Sequence, residues 1–116
     1  MSLYRATTPR HTFVFDIDPE ENFKTILVSY EQDEAILLEK DKSDMVFATE
    51  QDDKGNISYT GTVTLTQEEA NLFLADPKKP VNLQVRVVTT GGAVLASDVY
   101  AMEVKRVLND EVLTCD

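Results

Sequence analysis

The chain has 116 residues, 42% of them apolar, with 21 acidic residues against 11 basic ones and a formal net charge of −10. That length supports one domain with an adequate core, and the apolar content is too high for a disordered chain. A surface this acidic repels phosphate backbones and anionic headgroups, which excludes nucleic acid and membrane from the expected partners.

No apolar run reaches the roughly 18–20 residues that span a bilayer. Residues 1–10 lack the apolar segment of a signal peptide. The only cysteine, Cys115, cannot form an intrachain disulfide. A cytoplasmic location fits these features.

In chain order, residues 4–10 are polar and read as a lead-in. Residues 10–17 alternate, with His11, Phe13, Phe15 and Ile17 on one parity and Thr12, Val14 and Asp16 on the other. Aromatic residues at period two predict a strand. Asp18-Pro19-Glu20-Glu21-Asn22 predicts a turn, because proline fixes φ and has no N–H. Residues 24–31 predict a second strand with Ile26, Val28 and Tyr30 inward. Gln32-Asp33-Glu34 breaks the pattern, and residues 35–40 predict a third strand that forms a hairpin with the second.

Residues 41–44 make another turn, and residues 45–49 a short strand. Lys54-Gly55-Asn56 carries turn chemistry. Residues 57–65 alternate cleanly, with Ile57, Tyr59, Gly61, Val63 and Leu65 opposed by one serine and three threonines. A threonine-rich outer face is that of an antiparallel sheet with one wet side. At Thr66 the period changes. Thr66 and Glu69 have capping-box spacing, and Ala70, Phe73 and Leu74 follow at helical spacing. These residues predict one short helix over 66–75.

Residues 81–106 predict a long hairpin. Val81, Leu83, Val85 and Val87 face one way, and Tyr100, Met102 and Val104 share one parity on the return. Thr90-Gly91-Gly92 forms the tip, where glycine tolerates the positive φ of a tight reversal. Ser97-Asp98 interrupts the return strand and predicts a bulge. Residues 107–113 read either as a prolongation of the last strand or as a further small strand.

About seven strands with turns every 8–12 residues or so predict an all-β, immunoglobulin-like antiparallel sandwich. It spans residues 4–113 as one domain, with a small β-barrel as the alternative architecture.

The chemistry of enzymes is sparse. The only histidine, His11, opens a strand and reads as a hydrogen-bonded surface or edge residue. Cys115 sits in a terminal tail with nothing to lower its pKa. One His and one Cys cannot build a zinc site. The acidic stretches 16–21 and 52–56 miss the glycine, glutamate or third-position ligand of a calcium loop and read as solvated turns. Gly91-Gly92 precedes no helix and is not a phosphate loop. No cofactor and no catalytic residue is expected.

Gly55-Asn56-Ile57-Ser58-Tyr59, Leu65-Thr66-Gln67-Glu68-Glu69, Thr90-Gly91-Gly92 and Ala96-Ser97-Asp98-Val99-Tyr100 together carry a resemblance. Over residues 55–106 the chain resembles the immunoglobulin-like N-terminal domain of phage baseplate upper proteins. It is also similar to small prophage-encoded proteins of Gram-positive bacteria. The resemblance implies a non-enzymatic structural protein of a phage tail or baseplate, assembled into the particle.

The expected function is therefore contact with protein partners, self-association included. Exposed strand edges, the tip Thr90, Gly91 and Gly92, and the acidic residues Asp16 and Asp18 are the candidate contact points. The alternative is a module binding a small ligand, carbohydrate or calcium. The nine aromatic residues include no tryptophan, which weighs against a sugar-stacking platform.

Overall fold

The computed structural model describes residues 2–109 and 111–113. Its elements run β1 (Ser2–Tyr4), β2 (Arg10–Phe15), α1 (Pro19–Asn22), β3 (Phe23–Gln32), β4 (Ala35–Asp41), a 3-10 turn (Lys42–Asp44) and β5 (Met45–Gln51). They continue with β6 (Ile57–Thr64), α2 (Gln67–Ala70), β7 (Val81–Thr89), β8 (Val94–Ala96) and β9 (Tyr100–Lys105).

One sheet has the order β4-β3-β7-β9-β1, with β8 also paired to β7, and the other has the order β2-β6-β5. With β2, β3, β5, β6, β7 and β9 read as strands B to G, the sheets are BED and GFC, the immunoglobulin arrangement. No ladder joins the two sheets among the described residues, so the architecture is the sandwich and not the small barrel.

Alternation builds the core. Ile26, Val28 and Tyr30 of β3 are fully buried against Val81, Leu83, Val85 and Val87 of β7. Val63 and Leu65 face them from the second sheet, and Met102 and Val104 complete the layer. Each large apolar side chain so buried stabilises the fold by about 1.5–3 kcal/mol.

The nine strands among the described residues exceed the expected seven or so for two local reasons. Ser2–Tyr4, too short to show a period, pairs in parallel with β9 and buries Leu3 completely. The return strand of the long hairpin is split where Ser97 kinks it. Ser97 N donates to the Val85 carbonyl at 2.8 Å, and its hydroxyl accepts from Val85 N at 3.0 Å.

Three expectations on element bounds change. Asp18-Pro19-Glu20-Glu21-Asn22 is one helical turn, with Asp18 as its N-cap and Pro19 in the first turn. The capping box of Thr66 and Glu69 forms, but regular helix covers only Gln67–Ala70. Beyond it Leu74 is drawn out of helix by Gln32, whose amide bonds both its N–H and its carbonyl. Phe73 stays buried and Leu74 is exposed. The described residues from 107 onward form no strand. Leu113 instead bonds the Gln67 side-chain amide through both backbone groups, at 2.7 Å each.

Candidate interaction site at an open sheet edge

The second sheet ends at β2, whose only ladder among the described residues is with β6. Leu65 N donates to the Pro9 carbonyl at 2.9 Å, and the register continues with His11 opposite Val63, Phe13 opposite Gly61 and Phe15 opposite Tyr59. Antiparallel pairs alternate between bonded and non-bonded positions. The odd residues therefore direct their backbone groups into the sheet. Arg10, Thr12 and Val14 direct theirs to the open edge.

A groove of about 520 Å³ lies between this edge and β7, β8 and β9. Phe13, Phe15, Phe23, Val85, Val87 and Leu95 give it an apolar lining, and His11, Thr12, Ser97 and Tyr100 add polar atoms. It stays open because β8 ends at Ala96, while β9 pairs with β7 only from Val81 to Leu83. Val14, Leu95 and Tyr100 are 70%, 54% and 51% exposed around it, an apolar margin of the kind that marks contact sites.

His11 is not a surface residue. It is 4% exposed, and its Nδ1 lies 2.7 Å from the hydroxyl of fully buried Tyr30. Burial lowers the His11 pKa below its ordinary value, so the imidazole is neutral at pH 7. Burial, and then the charge of Glu69, push the Tyr30 pKa up. The pair is a satisfied polar contact beneath the groove.

The candidate contact residues gather at one end of the sandwich. Phe23 pairs with Thr89, and its ring packs edge-on against Phe15 with centroids 5.7 Å apart. Thr90 N donates to the Asn22 carbonyl at 3.0 Å, and Asn22 Nδ2 donates to the Asp18 carbonyl at 2.8 Å. The Thr90-Gly91-Gly92 tip and Asp18 thus share one corner, and Asp16 follows directly on Phe15 at the groove's end. Gly92 takes φ +91 in the reversal, as the sequence predicts. The Asp18 carboxylate is engaged as the cap on Glu20 N at 3.0 Å.

Asp52 is likewise engaged within its own loop. It accepts from Lys54 N and Asn56 N at 2.9 Å each and from Asn56 Nδ2 at 3.1 Å, and bonds from Asn56 lead in lowering its pKa. Among the described residues no three His, Cys, Asp or Glu side chains are placed to share a metal ion, and none of the helices is long and apolar enough to cross a membrane. Cys115 lies outside the described residues.

Sequence reasoning placed Phe13 and Phe15 on the core parity but missed the groove. The available signals were Val14, an apolar residue on an otherwise polar parity, and Val94-Leu95 directly after the glycine tip. No family model matches this chain, and no curated protein matches it.

Proposed function

We propose that the chain is a non-enzymatic interaction protein that works by docking other protein surfaces at the open β2 edge, as a tail or baseplate component of a phage or prophage particle. The observation that carries the docking reading is the free edge of β2 beside an apolar groove. An unpaired edge offers backbone donors and acceptors, and alternate pockets along it add side-chain specificity. The particle context rests on the resemblance over residues 55–106. The acidic exterior suits a component that must stay dispersed until it meets its site.

The test is mass spectrometry of particles induced from a strain encoding the chain, with wild type compared with Leu95→Asp. Wild type in purified particles, with the exposed-site variant folded but left out, is the expected result. Wild type abundant in cells and missing from particles overturns the particle assignment.

A second reading is favoured by the groove's volume, which falls within the range of small-ligand pockets. On that reading an apolar ligand lies along Phe15, Phe23 and Val87. Saturable displacement of an apolar fluorophore from wild type, absent in Leu95→Asp, would support it.

A further inference from the structure

We infer that the open edge of β2 pairs with β2 of a second copy of this chain, antiparallel about a two-fold axis at Phe13, joining two three-stranded sheets into one of six. This rests on the reading of that edge as a protein-contact surface, and it names the partner and the register.

The backbone restricts the register. The free donors and acceptors belong to Arg10, Thr12 and Val14, so even-numbered residues must oppose even-numbered residues. Three registers are then in reach, centred on Thr12, Phe13 or Val14. Only the one centred on Phe13 sets Arg10 of each copy opposite Asp16 of the other. The same register sets Thr12 opposite Val14, His11 opposite Phe15 and Phe13 opposite Phe13. Opposite charges and aromatic pairs across an antiparallel ladder are favourable, and like charges are not. The five residues between Arg10 and Asp16 carry no Asp, Glu, Lys or Arg, so the seven-residue segment is self-complementary in charge.

The groove supplies the rest of the surface. A second β2 added in the plane of the sheet brings a second set of inward aromatics over Leu95 and Tyr100, both half exposed. It also covers Val14. The interface is isologous, so each copy covers the other's groove and the assembly closes at two. Ile36 and Glu39 of β4 border a smaller hollow of about 260 Å³ whose lining is mostly polar. The net charge of −10 on each copy opposes approach, so pairing should strengthen as salt screens that repulsion.

Light scattering after size exclusion, over a concentration series in 0.15 M salt or so, reads the outcome. Wild type should approach twice its 13.0 kDa chain mass. Arg10→Asp and Asp16→Arg should each weaken dimerisation at least about tenfold through like-charge opposition, and the double variant should recover the dimer. Val14→Pro removes an N–H that points away from β6 and should give a folded monomer. Wild type monomeric at every concentration overturns the inference. So does a dimer indifferent to all three single substitutions. If wild type is monomeric while Leu95→Asp still fails to enter particles, self-pairing is wrong and the contact surface stands.

Discussion

Gln32 holds Leu74 by both of its backbone groups. Its Nε2 donates to the Leu74 carbonyl at 2.7 Å and its Oε1 accepts from Leu74 N at 2.8 Å, while Nε2 also reaches the Lys79 carbonyl at 2.8 Å. Gln32 is 2% exposed, so the amide acts as a buried splice between the end of β3 and the segment leading to β7.

Gln32→Ala should therefore cost about 2–3 kcal/mol, since it strands several backbone groups that water reaches poorly. Gln32→Glu should be harmful at neutral pH, where a carboxylate would face two carbonyl oxygens, and should recover partly once protonated. Urea unfolding at pH 7 and pH 4 measures both. Equal midpoints for wild type and Gln32→Ala would show the splice to be idle.

Stability should fall with pH in two separate windows. The folded pKa of His11 is lowered by burial from 6.5, so below pH 6.5 the unfolded chain takes up a proton that the folded one refuses. The His11 contribution is complete above 6.5 and is lost as pH falls toward the folded pKa. The second window lies lower. At Glu69, desolvation raises the pKa, but hydrogen bonds from Lys40 and Thr66 outweigh it and the net shift is down. Hydrogen bonds from Ser43 lead in lowering Asp41. Both contributions are present above the ordinary carboxylate range and are lost as pH falls through the folded pKa values. His11→Gln should remove the upper window and leave the lower one. An unchanged slope between pH 7 and 5 in that variant would assign the upper window to another group.

Period two made β3, β6 and β7 legible because each has one dry face and one wet face, and side chains alternate between them. The capping box at Thr66 was legible for the same local reason. The helix length was not, because Gln32, 42 residues away, claims Leu74. Strand β1 pairs with residues 103–105, and three residues carry no period. The groove depends on where Ser97 kinks β8 and on what does not cover β2. Phe13 and Phe15 read as core residues, and one side of each is. The one sign beside them that the other side opens outward is Val14, apolar on an otherwise polar parity.

The β3–β4 turn carries strain that one substitution should relieve. Asp33 and Glu34 have φ of +55 and +66, the double left-handed geometry of a tight hairpin, which favours glycine at the second position. Glutamate there costs about 1–2 kcal/mol of backbone strain. Glu34→Gly creates an Asp-Gly turn, and the added freedom of the unfolded chain offsets part of the gain. The expected net is about 0.5–1 kcal/mol, read as a rise in Tm of about 2–5 °C. A lower Tm would mean that Glu34 makes a contact worth more than its strain.

Gly61 should tolerate no branched side chain. It sits between Phe13 of β2 and Phe47 of β5. A Cβ there would lie 2.7 Å from Met45 Cε and 3.2 Å from the ring edges of Phe15 and Phe47. The methionine tip can swing away, but the two rings are held on opposite strands. Gly61→Val should cost about 1–3 kcal/mol by overpacking. Of the two rings, it is Phe15 that lines the groove. Its displacement breaks the edge-on contact with Phe23, which should weaken pairing at the β2 edge as well as stability. Urea midpoints and the dimer mass, measured on the same variant, separate the two effects. A stability loss with unchanged pairing would place the accommodation at Phe47, on the far side of the sheet from the groove edge.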